Sequence, residues 1–204
     1  DLHSFPTRRS SDLEGSGEVV ALGTDLKKSF NIGDKVQFST IGTCAQYVLV
    51  PSEKVLPWNT KLSLEEASCH SGNPNTVVTM YALAKEGKHK AAIHNAAAGA
   101  IGRMLIKYFK VKGIKLINIV RKPQYVEELL KEGADYVLDS SHPDFEKDLK
   151  ALAEKENATI GFDAIAGDAT SVLLNAMPEG STVYNYGNLS NSPITNISPN
   201  ELMF

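Results

Sequence analysis

The residues with the clearest chemical potential lie between Ala91 and Lys122. Ala97, Gly99 and Gly102 occupy a G-x-G-x-x-G frame, with alanine at the first position. They follow the short apolar run Ala91–Asn95 and open an amphipathic stretch. Small residues at this spacing let backbone N–H groups approach a dinucleotide pyrophosphate, and the N-terminus of the following helix favours its negative charge. Small residues also serve ordinary strand–helix packing, so the frame takes its meaning from the elements around it. A second position bears on which dinucleotide such a turn suits. The apolar run Ile117–Val120 ends in Arg121-Lys122, with Arg121 24 residues beyond Ala97. A chain that binds NAD usually carries an acid there to hydrogen-bond the ribose 2′-OH. A carboxylate repels a 2′-phosphate, whereas a guanidinium pairs with it bidentately. The pattern favours NADP(H) over NAD(H). The plainer alternative is a solvated Arg-Lys pair in a loop.

The surrounding pattern alternates strand and helix. Strands are expected near Ala91–Asn95, Lys115–Val120, Tyr136–Asp139, Thr159–Ala164 and Thr182–Tyr186. Helices are expected near Gly102–Lys112, Gln124–Glu132, Phe145–Glu156 and Thr170–Ala176, with Leu105, Phe109, Leu129 and Leu152 supplying apolar faces at helical spacing. Such alternation with short loops implies an α/β fold with a doubly wound parallel (Rossmann) sheet, whose first strand–helix turn is the one that holds a dinucleotide. Composition agrees. The 204 residues carry a formal net charge of −3, with 22% charged and 42% hydrophobic residues, as in ordinary globular chains. The charge balance argues against a nucleic-acid partner. No apolar run approaches the ~20 residues of a transmembrane helix. The two cysteines, Cys44 and Cys69, form neither a disulfide framework nor a ligand cluster, which fits a reducing, cytoplasmic setting.

The beginning of the chain reads differently. Residues 1–13 back-translate into a common short-read sequencing adapter read in frame, and lack the apolar core of a secretory signal. They are expected to be disordered, and Arg8 and Arg9 receive no role. From Glu14 to Trp58 the pattern is β: Glu18–Leu22, Lys35–Phe38 after the Gly33-Asp34 turn, and Gln46–Val50 closed by Pro51. Gly15-Ser-Gly-Glu-Val-Val-Ala-Leu-Gly23, Gly33-Asp-Lys-Val36 and Ala45-Gln-Tyr-Val48 resemble, in order and spacing, the GroES-like domain of medium-chain dehydrogenases/reductases. Leu62–Ala67 reads as a helical turn with Ser63 and Glu66 as a capping-box pair, and Gly72-Asn-Pro-Asn-Thr76 opens a further helix to about Lys85. The domains expected are a partial GroES-like β domain over 14–72 and an NADP(H)-binding Rossmann domain over 73–204.

The resemblance to the medium-chain superfamily carries further implications. Cofactor contacts are implied for Ala97, Ala98, Gly99, Ala100, Ile101 and Gly102, for Arg121 and Lys122, and for Thr76, which in the family often lies near the nicotinamide. The alternative for Thr76 is a helix cap. Gly161–Gly167 resembles the fourth strand and its loop, and Gly180–Gly187 the fifth, placing Gly187 and Asn188 near the nicotinamide. Asp163 reads as a turn cap, Tyr184 and Tyr186 as packing, and His89 and His142 as solvent-exposed. Zinc-dependent members carry a lobe of closely spaced cysteines after the Gly-Asp-x-Val turn, whereas here only Gln37–Thr43 separate that turn from Cys44. A further zinc ligand usually stands four residues before the helix threonine, where this chain has Gly72. Cys69-His70 are adjacent and cannot close a tetrahedral site by themselves.

No metal ligand is assigned, and zinc is not expected. The Asn73-Pro-Asn-Thr76 block and the alanine-bearing frame point to a zinc-free branch resembling quinone and enoyl-thioester reductases. That branch transfers hydride to an activated alkene, quinone or carbonyl. The rivals are a zinc alcohol dehydrogenase and a non-enzymatic NADPH-binding member. No residue is assigned to catalysis. Ser198–Phe204 resembles the run before the family's sixth strand, so both ends are expected to be truncated. Alone, the fragment is expected to be inactive and poorly soluble, with an exposed sheet edge. The resemblance implies a small-molecule substrate and a homodimer or homotetramer for the parent protein.

Overall fold

The computed structural model describes residues 13–24, 29–58 and 61–197. The first twelve residues and Ser198–Phe204, on which the adapter and sixth-strand readings bear, lie outside the described residues. The chain divides into two compact units, Asp1–Asn75 and Thr76–Phe204.

The first unit holds an antiparallel sheet of β1 (Glu14–Glu18), β2 (Lys35–Ser39) and β3 (Val55–Pro57), in that order. Gly15 pairs with Phe38, and a Cβ on Gly15 would lie 2.9 Å from the Phe38 ring, so the glycine lets the ring cover the strand. This corrects the expected strand at Glu18–Leu22: the ladder lies four residues earlier, at the glycines. Val19 still closes the loop, its carbonyl accepting from Gly33 N at 2.8 Å, but Val20 and Leu22 are exposed. The strand expected at Gln46–Val50 is also absent, and Tyr47 and Leu49 are exposed. Alternation proposes a strand, but only a ladder partner makes one. The turn at Leu64–Ala67 (α1) forms with both halves of its capping box, Glu66 N donating to Ser63 Oγ and Ser63 N to Glu66 Oε2.

Helix α2 (Asn73–Glu86) begins within the first unit and ends in the second. The second unit is built on five parallel strands: β4 (Ala91–His94), β5 (Lys115–Val120), β6 (Tyr136–Asp139), β7 (Ile160–Asp163) and β8 (Thr182–Asn185). Their order is β6-β5-β4-β7-β8. Between them run α3 (Ala100–Lys112), α4 (Gln124–Lys131), α5 (Phe145–Glu156) and α6 (Asp168–Ala176), the last starting two residues earlier than expected.

Every residue of β4 and β7 is buried, as a strand covered on both faces requires. Alternate residues enter opposite layers. Ala92 and Leu116 pack with Leu105, Phe109 and Leu129, whereas Ile93 and Ile117 pack with Leu149, Ala153 and Leu173. Leu152 is only partly buried, and Leu149 takes the central place on α5. Burying a leucine or phenylalanine of this kind contributes about 2–3 kcal/mol against the conformational entropy lost. Gly113 ends α3 in the left-handed conformation, at φ 73°.

Candidate functional site

Strand order reverses between β4 and β7, and in open α/β sheets the crevice for a ligand opens there, beyond the C-terminal strand ends. Two side chains pin that point. Asn95 Nδ2 donates to Asp163 Oδ1 at 2.6 Å, and Asn95 Oδ1 accepts from Ala164 N at 2.8 Å. Asp163 also accepts from Ile165 N, Ala166 N, Thr170 Oγ1 and Asn185 Nδ2. Asp163 is thus a turn cap, and it binds the ends of three strands and α6. Burial alone would push its carboxyl up. The donors, Asn95 and Thr170 foremost, outweigh burial and hold the carboxyl below its ordinary range.

The turn after β4 is tight. Ala96 takes a left-handed φ of 52°, Ala97 N donates to Ile119 O, and Gly99 N to Ala96 O. Gly99 is the N-cap of α3 and offers no side-chain cap, so the first N–H groups of α3 have no intrahelical acceptor. Gly102 is buried where a Cβ would meet the Ala97 backbone, 2.6 Å from its carbonyl carbon. The third small residue of the frame is therefore a packing requirement: it lets α3 lie against the turn.

A cleft of about 550 Å³ opens beside this turn. Ala96 and Ala98 form one wall, Arg121 and Lys122 follow β5, Tyr125 comes from α4, and Ser140 follows β6. The loops after β7 and β8 close it with Ile165, Leu189 and Ser190. Arg121 and Lys122 are exposed, neither forms an ion pair with a described residue, and among the described residues no carboxylate lines the cleft. The cleft suits an anion-bearing ligand with an apolar, flat portion.

Of the residues singled out in the sequence, Ala98, Arg121 and Lys122 line this cleft. Ala97 and Gly102 are buried beneath it, Gly99 and Ala100 are exposed at the head of α3, and Ile101 packs partly into the core. Gly187 and Asn188 precede the cleft residues Leu189 and Ser190; a Cβ on Gly187 would lie 2.7 Å from Ala164 O. Thr76 is the fourth residue of α2 and does not line the cleft. Gly72 precedes the helix, and its N–H donates to Glu14 Oε2. His142 is exposed as expected. His89 is not: it is half-buried, its Nδ1 2.6 Å from Thr159 Oγ1.

Sequence reasoning passed over Tyr125, Ser140 and the buried His94, and read the half-buried Tyr186 as packing alone. Ser140 was within reach, since it follows β6 as Arg121 follows β5. Tyr186 is more than packing, because its hydroxyl lies 2.7 Å from His94 Nε2.

Residues 100–204 match the sequence profile of the zinc-binding dehydrogenases, a span of just over half the chain. The chain belongs to that family. A mitochondrial enoyl-[acyl-carrier-protein] reductase of Arabidopsis thaliana is 28% identical over 197 residues, covering 93% of this chain and 52% of the relative. The crystal structure of a Mesorhizobium loti protein assigned as an NADPH:quinone reductase superposes with a TM-score of 0.83 at 28% identity, covering 91% of this chain and 54% of that one. Escherichia coli quinone oxidoreductase, solved in complex with NADPH, shares the fold at a TM-score of 0.79 and 23% identity, covering 93% of this chain and 59% of that one. The chain spans about half the length of the curated relatives it matches.

The family name raises the question of zinc, and the described residues do not fit the ion. Among them no three His, Cys, Asp or Glu side chains gather as a ligand set. Cys69 and His70 are exposed, and the Cys69 thiol donates to Glu66 O. A side chain at Gly72 would collide with Glu14, a Cβ there lying 2.7 Å from its carboxylate oxygen. No step of the chemistry below passes through a metal. Among the described residues, no helix of this zinc-binding dehydrogenase family member is long and apolar enough to cross a membrane.

Proposed function

We propose that the chain is the cofactor-binding part of an NADP(H)-dependent oxidoreductase that transfers hydride to an activated alkene, quinone or carbonyl. One observation carries the reading. At the C-terminal edge of a doubly wound sheet, beside a small-residue turn, a cleft presents Arg121 and Lys122 and, among the described residues, no carboxylate. A 2′-phosphate would pair with the Arg121 guanidinium, with Lys122 adding charge and Tyr125 and Ser140 flanking it. The pyrophosphate would take the free N–H groups of Ala100–Gly102 at the head of α3. Thr76, Gly187 and Asn188 are assigned to the nicotinamide end. When bound, the nicotinamide supplies or accepts the hydride. This chain's residues orient the cofactor, and Asn95 and Asp163 hold the two turns that face it. No residue is assigned as proton donor.

The named relatives, enoyl-thioester and quinone reductases, support the same substrate classes. We also propose the division into a GroES-like part over 14–72 and a Rossmann part over 73–204. The remaining assignments are a homodimeric or homotetrameric protein in the cytoplasm with no nucleic-acid partner. The mitochondrial location named for the Arabidopsis relative is the competing location. The test, made on the full-length parent protein, follows NADPH absorbance: its loss with a quinone, an enoyl thioester or an aldehyde, and its gain from NADP+ with an alcohol. Turnover of the quinone or the enoyl thioester without added metal supports the reading. Zinc-dependent turnover of the alcohol alone would replace it with a zinc alcohol dehydrogenase, and binding without any turnover with a non-enzymatic NADPH-binding member.

A further inference from the structure

Arg103, the fourth residue of α3, makes one tie between the turn and α4. Its Nε donates to Ala98 O at 3.0 Å, its Nη2 to Glu128 Oε1 at 2.6 Å, and its Nη1 to Glu132 Oε1. Ala98 lines the cleft, and Glu128 stands one helical turn beyond Tyr125, which lines it too. Residues three apart on a helix hold their Cβ atoms about 5–6 Å apart. The two carboxylates held by Arg103 therefore sit on the helix that begins just beyond Arg121 and Lys122. The Arg103 side chain is 28% exposed and that of Glu132 25%, so this pair is less screened than a surface contact, whereas Glu128, at 47%, is open to solvent. Its planar fork serves three acceptors on two elements at once.

We propose that Arg103 is a specificity-determining positioning residue. It sets α4 against the Ala98 turn and neutralises Glu128 and Glu132, so that a 2′-phosphate meets only the cations of Arg121 and Lys122. The proposal rests on the NADP(H) reading above. Removing Arg103 frees Glu128, one turn from the cleft-lining Tyr125, and Glu132 at the far end of α4, and the nearer carboxylate acts against a dianionic phosphate far more than against a 2′-hydroxyl.

The test is equilibrium titration of the chain with NADPH and with NADH, followed by nucleotide fluorescence, for wild type, Arg103→Met, Arg103→Lys and Arg103→Met/Glu128→Gln/Glu132→Gln. Arg103→Met is expected to weaken NADPH about five- to tenfold and NADH less than about twofold, the NADPH deficit shrinking in high salt. The triple variant is expected to recover most of the NADPH affinity, because the repelling charges are gone. Arg103→Lys, which keeps the charge, is expected to retain preference for NADPH. Equal weakening of both nucleotides, no recovery in the triple variant, or lost preference in Arg103→Lys overturns the proposal. If Arg103→Met does not fold, the other two variants decide it. If wild type binds neither nucleotide, the NADP(H) reading itself has failed. Intact wild-type preference with an unchanged ratio in the variants defeats only the role of Arg103.

Discussion

Asn95 and Asp163, at the ends of adjacent strands β4 and β7, are joined side chain to side chain at 2.6 Å. Both are buried. The pair spans the point where strand order reverses, so the two turns that face the cleft are fixed to one another before any ligand arrives.

Asp163→Asn is therefore expected to destabilise the fold by about 2–4 kcal/mol, because an amide presents N–H groups to donors that need an acceptor. Urea unfolding measures it. The acid side gives a second signature. The donors hold the folded carboxyl below its ordinary 3.8, so its stabilisation is complete above that value and is lost as pH falls through the lower folded one. The variant should lack that acid-side loss.

His94 and Tyr186 give a separate pH window. Burial lowers the His94 pKa to about 3, against a weaker opposing pull from Asp163, so the ring is neutral in the folded chain near neutral pH. The unfolded chain gains a proton at 6.5 and the folded one only near 3, so stability falls steadily as pH drops between those values. His94→Gln is expected to flatten the melting temperature across that range. Tyr186→Phe leaves a second His94 nitrogen without a partner, since Nδ1 has none among the described residues, and should cost about 1–3 kcal/mol with the pH profile retained.

The two glycines of the frame separate in their tolerance. At Gly102 an added Cβ meets backbone of Ala97, so Gly102→Ala should cost about 3 kcal/mol or more and abolish nucleotide binding. At Gly99 the nearest contact is Ala96 O at 3.3 Å, so Gly99→Ala should fold, with a melting point near that of wild type. Calorimetry of the two single variants checks the contrast.

The second unit was legible because strands covered on both faces and amphipathic helices leave strong periodic signals; Lys115–Val120, Tyr136–Asp139 and Phe145–Glu156 lie where their patterns put them. In the first unit the glycine-rich Glu14–Glu18 forms the strand, because Gly15 makes room for Phe38, while the more β-like Val19–Leu22 and Gln46–Val50 find no ladder. A propensity scale sees the residue and not its partner. In the cleft, Arg121 was readable from its place after β5. Ser140 stands in the equivalent place after β6, whereas Tyr125 carries no comparable signal of its own. Nor does Arg103, whose partners lie 25 and 29 residues away.

The most direct test of the central claim is titration of NADPH and NADH into wild type and Arg121→Asp, read by nucleotide fluorescence. Wild type is predicted to bind NADPH more tightly than NADH, and the substitution to weaken NADPH by about two orders of magnitude while changing NADH by less than about threefold. Equal weakening of both nucleotides, or no preference in wild type, would contradict the assignment of Arg121 to the 2′-phosphate.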